Sequence, residues 1–570
     1  GAGAITGSSA LTKSNTGSVT LSTANTYSGG TTISGGKIIA TVAGALGTGS
    51  VTNNATLDLT GGAATYTGLS TSMSGNGTVN VTLPTGSNSA VLNGDYSGFT
   101  GVWNIGVGAS AAAGKVQLNG LDNASSTVNV LSHGSVYVST AVTKNAAIVL
   151  NGGDTGESLG QLRLEGGAIW AGPVTLAGDI TGTNDGTVGS NGGGGTISGN
   201  IGETGGSRSL VKVGPSTITL SGNNTYTGAT TASAGTLKLG SAGALGNGTL
   251  NTSSLTVSGS AILDLFGFSP TASVPLTLNS SAGGFDVGSF YNSGAASVTY
   301  AGAVTLGANT RVGAGNITLT NTITGNSKNL LRDGLGALEL TNSGTVTLAA
   351  LQVNRGAIQV NSGTTLNVTS ISLGTGNGVG SALTLNGGNI TSSSASASTF
   401  ASSTNAQASG ILTLNSGTLT VFGLAKGGTA VASFNTIFNG GTLKATADNT
   451  AYFAGANSAK VQAGGAFIDD GGFLITIAQP LIHDTALAST PDGGLTKSGL
   501  GTLTLSGANT YSGNTTVNAG TLELAATTGS LKFFPTTNGV CNKITGTGAV
   551  TLKGVCLLYT SDAADEEDSV

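Results

Sequence analysis

Charge is what this sequence most lacks. Asp, Glu, Lys and Arg make up 8% of its 570 residues, where about 25% is usual. With 19 Lys and Arg, it is a poor candidate for binding a phosphate backbone, and no nucleic-acid partner is expected. Proline falls to 8, which excludes collagen and proline-rich linkers. The two cysteines, Cys541 and Cys556, both lie near the far end, so no disulfide framework holds what precedes them. Two histidines, His133 and His483, complete no zinc-site spacing. No run of roughly 18 apolar residues offers a membrane-spanning helix. Good helix formers are scarce, which disfavours a helical or α/β enzyme.

What is abundant is glycine, 98 residues, with many Thr, Ser and Asn. Hydrophobic residues reach 38%, too many for a disordered polar chain. The length fits several domains or one repeat array. Repeats are present. Residues 11–39 read LTKSNTGSVTLSTANTYSGGTTISGGKII. Residues 210–239 read LVKVGPSTITLSGNNTYTGATTASAGTLKL, and 495–524 read LTKSGLGTLTLSGANTYSGNTTVNAGTLEL. Each copy places a Lys (Lys13, Lys212, Lys497) two residues after its first Leu, then Asn-Thr-Tyr, Gly and a Thr pair. A degenerate copy at 330–360 carries Arg332 in place of the Lys and loses the Asn-Thr-Tyr.

The repeats alternate polar and apolar residues, the period of a half-buried strand. Leu503 and Leu505 are expected to point inward, with Thr502 and Thr504 facing water. Strands are expected again at 515–517 and 521–524, separated by Gly/Asn turns. Tyr511, with Tyr27 and Tyr226 at matching places, is expected to pack against a neighbouring coil. Shorter turn-then-strand phrases begin at Asn386, Asn415 and Asn439, spaced 29 and 24 residues apart. Spacings in the twenties suit one circuit of a solenoid. The competing architecture is a string of antiparallel sandwiches. Asn119-Gly120 and Asp185-Gly186 are hairpin signals for it. Against it stand the 5% aromatic content and the absence of a Cys…Trp…Cys core. The expected fold is therefore all-β: a parallel β-helix, a rod on the order of 120 Å built from about 25 coils stacked ~4.8 Å apart.

The three full copies resemble the autotransporter-associated β-strand repeat, also called the passenger-associated transport repeat. The stretch 438–524, with FNGGTLKA, GGAFIDDGGFLITIAQPL and GGLTKSGLGTLTLSGANTYSG, is similar to large secreted proteins built from such repeats. The resemblance implies a right-handed parallel β-helix and the extracellular or outer-membrane surface of a bacterium. It implies a structural or adhesive role, surface glycans or other cell-surface proteins as partners, and no catalytic residues or cofactor. No membrane barrel of ~10-residue alternating strands follows the last copy. The chain begins at Gly1 without a signal-like segment, so an export signal is expected upstream or not at all.

The runner-up reading is a carbohydrate-active enzyme on the same scaffold. Its acid–base candidates are few. Asp469-Asp470 with His483-Asp484 could bind a metal or move protons, but they read more simply as a turn and a strand end. Asp154, Glu157, Arg163 and Glu165 form the densest mixed stretch; Arg163 and Glu165 flank Leu164 and are expected outward, as a surface pair. Elsewhere, charges stand single and far apart. Asn151-Gly152-Gly153-Asp154 and Asn184-Asp185-Gly186 only loosely match a calcium nonapeptide. The glycine run 192–195 lacks a phosphate-loop Lys. No catalytic, cofactor or metal residue is assigned.

Three segments are expected along the chain: β-helix over 1–528, further coils over 529–555, and a tail over 556–570. Residues 391–410 are Ser/Ala-rich and read as a loop or weak coil protruding from the rod. The tail holds five acids and no base, and resembles translated sequencing-adapter read-through. It is expected to lie outside the natural protein and outside the ladder.

Overall fold

The computed structural model describes residues 3–62, 64–109, 114–120, 122–153, 157–178, 186–284, 286–374, 380–400, 408–427, 432–525 and 544–553. The chain forms two compact units: residues 1–284 with 288–308, and residues 285–287 with 309–570. Both are β-solenoids. Among the described residues there is no α-helix, and one short 3₁₀ turn, Thr485–Leu487. No helix is long and apolar enough to cross a membrane.

In the first unit each strand pairs in parallel with the strand one coil on. Leu11–Lys13 lies beside Thr31–Ile33, which lies beside Val51–Asn53. A second stack runs from Ser18–Leu21 through Lys37–Ala40 and Thr56–Leu59 to Ile201–Glu203. Parallel strands normally need a crossover helix; here the rest of the coil supplies the return. The Asn119-Gly120 pair makes a corner, with both N–H groups donating to the Leu92 carbonyl of the coil before at 3.2 Å. Asp185 lies outside the described residues.

Alternation becomes columns because the register is kept from coil to coil. Leu57, Val79, Trp103, Val128, Ile148, Val174 and Ile201 are register partners in sequence. All are buried. The outward neighbours form a polar ladder. Asn80 donates to Asp58 at 2.8 Å, Asn104 to Asn80 at 2.8 Å, and Asn129 to Asn104 at 3.1 Å.

The second unit repeats this logic with longer strands, such as Gly344–Asn361 and Thr364–Leu373. The three short phrases found in the sequence are consecutive coils. Asn386 donates to Asn361 at 3.2 Å, Asn415 to Asn386 at 2.8 Å, and Asn439 to Asn415 at 3.1 Å. The coil length varies more than the sequence suggested. Ser18 pairs with Lys37 in the first unit and Ala466 with Leu495 in the second, so one circuit takes 19 to 29 residues.

The Ser/Ala-rich stretch departs from expectation. Up to residue 400 it is built into the coil, as strands Asn389–Ser392 and Ser398–Phe400. Phe400 is fully buried and stacks on Phe434 with ring centroids 4.5 Å apart. Ser392 is buried too, its hydroxyl donating to the Thr369 carbonyl at 3.2 Å. A small residue whose hydroxyl finds a carbonyl can replace a large apolar one on the inner face, which a search for Leu and Val misses. Residues 401–407 lie outside the described set, as do Cys541, Cys556 and the 556–570 tail. Ile544–Gly546 and Ala549–Lys553 continue the stacks of Thr515–Val517 and Thr521–Ala525.

Leu503 and Leu505 are buried, and Thr504 faces out toward Glu523, hydroxyl to carboxylate 3.1 Å. Leu503→Asp should therefore cost about 3–5 kcal/mol, since an unpaired charge enters the stack. Thr504→Asp places like charges side by side and should cost ~1 kcal/mol or less. Urea denaturation of the two variants checks this; equal losses would contradict the inward assignment.

Candidate functional site

The most distinctive chemistry lies inside the corners of the repeats. The repeat Lys shares parity with the inward Leu two residues before it, so its side chain enters the coil. Lys212 and Lys497 are fully buried and Lys13 nearly so. A buried ammonium needs acceptors, and the corners supply backbone carbonyls. Lys212 Nζ donates to Gly214 at 2.6 Å and Ser216 at 2.5 Å in its own corner, and to Ala234 of the next coil at 2.6 Å. Lys497 donates to Gly499 and, in the next coil, to Ala519, both at 2.8 Å. Lys13 bonds Asn15 and, in the next coil, Gly35. In the degenerate copy, Arg332 serves the same purpose, reaching Gly315 at 2.8 Å and Leu335 at 2.9 Å, and also Gly313.

Each Lys clamp has a glycine (Gly36, Gly235 or Gly520) just past the carbonyl of the next coil. Gly36 and Gly235 adopt positive φ (64° and 60°). A Cβ there would sit 2.6 Å from the Lys13 ammonium and 2.5 Å from that of Lys212. The repeat Tyr completes the corner. Tyr27, Tyr226 and Tyr511 reach the first Thr of the Thr pair (Thr31, Thr230, Thr515) at 2.7, 2.6 and 2.6 Å. Tyr27 also lies against Gly47 of the next coil, where a Cβ would meet its ring at 2.8 Å.

The sequence candidates separate in space. Asp470 is fully buried and paired with Lys497, and accepts from the Gly472 and Gly501 N–H groups at 2.9 and 2.8 Å. Asp469 points out to Lys444 at 2.8 Å. Burial raises its carboxyl, but bonds from Lys444 and the Gly471 N–H outweigh that, and its pKa falls below the usual range. Asp484 behaves likewise: burial raises it, while Gln462, Lys460 and the Ala486 N–H lower it on balance. A general acid needs the opposite shift.

His483 turns away from both aspartates of the turn. Its Nδ1 lies 2.9 Å from Asp492 Oδ2 and 2.9 Å from Ser512 Oγ, and its Nε2 lies 3.2 Å from the Ala488 carbonyl. A hydrolytic triad places the acid and the hydroxyl on opposite ring nitrogens; here both meet Nδ1. Asp492 instead closes the repeat's corner, accepting from the Ser512 and Gly513 N–H groups at 2.7 and 2.8 Å. Glu203 does the same for the 210–239 copy, accepting from the Thr227 N–H and hydroxyl at 2.9 and 2.6 Å. Asp492 and Ser512 were not singled out in the sequence; their signal is the acid one coil ahead of the repeat's Tyr-Ser/Thr-Gly.

Arg163 corrects the expectation of an exposed pair. It does face outward, but it is buried under its partners. It binds Glu165 at 2.6 Å and Glu157 at 3.1 Å, with the Tyr137 ring 4.4 Å from its guanidinium. Lys115 joins Glu157 at 2.9 Å. Both carboxylates are thus committed to cations. Asp154 lies outside the described residues. A second network, in the second unit, corrects the expectation of isolated charges. Arg311 meets Asp333 at 3.0 Å, and Arg355 meets Asp286 at 2.8 Å. Burial raises the Asp333 carboxyl above its usual value. Stacking brings together residues far apart in sequence, so neighbour counting cannot find this group. Among the described residues, no cluster of three or more His, Cys, Asp or Glu could hold a metal ion.

The passenger-associated-transport-repeat family model matches the chain three times, at residues 11–39, 210–239 and 495–524. It is also similar to the Adhesin BmaC autotransporter of Brucella suis biovar 1 (strain 1330), with 32% identity over 243 residues. The similarity covers 40% of this chain and 7% of that protein, so the chain spans a small part of the length of the curated relative it matches. No solved structure matches the chain.

Two outcomes follow for the clamps. Burial pushes Lys212 down to about 7 and Lys144, buried at another corner, down to about 8. An unfolded lysine titrates near ~10.4. Between those values the unfolded chain binds more protons, so stability should rise with pH across that window. Lys212→Met should flatten the rise and, by orphaning three carbonyls, cost about 1–3 kcal/mol near neutral pH. Unfolding midpoints at about pH 7.5 and about pH 9.5 measure both effects. Lys497→Met leaves the Asp470 carboxylate buried and uncompensated, and should cost about 3–5 kcal/mol. Adding Asp470→Asn should recover part of that loss; no recovery would contradict the pairing.

Proposed function

We propose that this chain is a stretch of an exported bacterial passenger, held at the outer-membrane surface or released outside, whose role is adhesive and structural and not catalytic. The observation that carries the reading is the triple occurrence of the passenger-associated transport repeat, each copy closed by a buried cation clamp. The relative's printed name, an autotransporter adhesin, supports it. The chemistry of the described acids supports it as well. Asp470 and Asp492 hold corners, and Glu157, Glu165, Asp469 and Asp484 are bound by cations or N–H groups. Exposed faces are left for contact: ladders of Asn and Thr interrupted by a few larger side chains. Surface glycans or other cell-surface proteins are the partner classes that suit such faces.

The competing enzyme reading needs two carboxylates flanking one bond, one of them a proton donor. The test runs both readings together. Displayed on a carrier cell, the chain should be accessible to external protease and should increase attachment to a host-cell monolayer. Incubated with uronans and glucans, the purified chain should release no unsaturated or reducing sugars. Sugar release that disappears in Glu157→Gln or Asp469→Asn would establish the enzyme and overturn the proposal.

A further inference from the structure

Phe266 sits where a bulky residue is least expected. Its φ is +46°, in the left-handed region, a position that Gly or Asn fills without strain. It is also 41% exposed, and no other Phe, Tyr or Trp among the described residues reaches that class. Strain kept at an exposed side chain calls for a reason. The sequence echo makes the contrast plain: Leu57-Asp58-Leu59 is followed by Thr60, whereas Leu263-Asp264-Leu265 is followed by Phe266.

The backbone beneath the ring is fixed by buried polar groups. Asp264, 2% exposed, accepts from the Phe266 N–H at 2.9 Å, the Ser293 N–H at 3.0 Å and the Ser293 hydroxyl at 2.7 Å. Asn292, 1% exposed, accepts from the Gly267 and Gly294 N–H groups at 2.7 and 3.1 Å and donates to the Ala296 carbonyl at 2.8 Å. The corner is therefore rigid, and the ring is presented by it. Phe268 stands beside it, centroids 6.3 Å apart.

A positive charge completes the surface. Lys238 Nζ lies 3.2 Å from the Phe266 ring centroid. Its register neighbour Asp264 has both carboxylate oxygens on the corner donors instead. Among the described residues Lys238 forms no ion pair with a carboxylate within 4.0 Å. The ammonium covers one face of the ring, so the other face is the one left for a sugar ring that carries a carboxylate: C–H groups pack on that face, and the carboxylate reaches past the ring edge toward the lysine.

We propose that Phe266, Phe268 and Lys238 form a binding platform for acidic, carboxylated glycans. This rests on the adhesive reading above and names its ligand class and site. The test titrates the full chain with three acidic probes (oligogalacturonate, a hyaluronan fragment and sialyllactose) and with neutral cello-oligosaccharide. At least one acidic probe should bind, more tightly than the neutral one, and should protect Lys238 from amine-reactive labelling. Phe266→Asn keeps a residue that tolerates the left-handed backbone, and should weaken binding about tenfold or more while melting no lower than the parent. Lys238→Gln should weaken the acidic probe and leave the neutral one unchanged. Failure of all three acidic probes, or unchanged binding in Phe266→Asn, would overturn the platform. Should Phe266→Asn lower the melting temperature, the labelling protection in the unaltered chain decides instead: an unprotected Lys238 overturns the platform. Attachment of displaying cells that persists in either variant would leave the adhesive reading intact while the platform falls.

Discussion

The structure depends on one constraint: a coil can satisfy its backbone N–H and C=O groups only through the coils before and after it, and in register. Register turns a two-residue alternation into continuous columns. Leu, Val, Ile and Trp103 stack inside, while Asp58, Asn80, Asn104 and Asn129 stack outside. Like charges cannot be stacked in this way without repulsion. Asn carries both a donor and an acceptor, so it can hand a hydrogen bond from one coil to the next indefinitely. A sequence poor in charge and rich in Asn, Thr and Gly is what this demand produces.

Corners are where the constraint is hardest to meet. A turning backbone points several carbonyls inward, where no strand can pair them. Lys13, Lys212 and Lys497 answer this with a terminal amino group whose N–H donors join the carbonyls of two successive corners. The burden of burying a charge is eased by acceptors already present and in need of partners. Arg332 shows that charge and donors matter more than the lysine itself. At Lys497 a whole carboxylate, Asp470, joins the site. The repeats are thus points at which neighbouring coils are fastened by side chains as well as by ladders.

Much of the fold was legible because its signals are local or periodic. The Leu503/Leu505 alternation and the spacings between Asn386, Asn415 and Asn439 map directly onto burial and onto stacked amides. The clamp was also visible in principle, since a Lys two residues after an inward Leu must face inward; charge, though, reads as surface. What depends on stacking distance was not legible. The Arg311–Asp333 and Arg355–Asp286 pairs, the Ser512–His483 contact and the Phe266–Lys238 platform join residues from different coils of unequal length. The buried Ser392 and Ser398 show a related limit, because hydropathy alone assigns serine to the outside.

The central claim is that the repeat lysines are internal clamps and not surface groups. Amine-reactive labelling of the folded chain, read by peptide mass spectrometry, tests it most directly. Lys37, Lys444 and Lys460 have side chains 41%, 41% and 37% exposed even within their ion pairs, and should label readily. Lys212 and Lys497 should stay unmodified until the chain is unfolded, and Lys13 should label slowly. Labelling of Lys212 and Lys497 at the rate of Lys37 in the folded chain would contradict the clamp, and with it the inward register of every repeat.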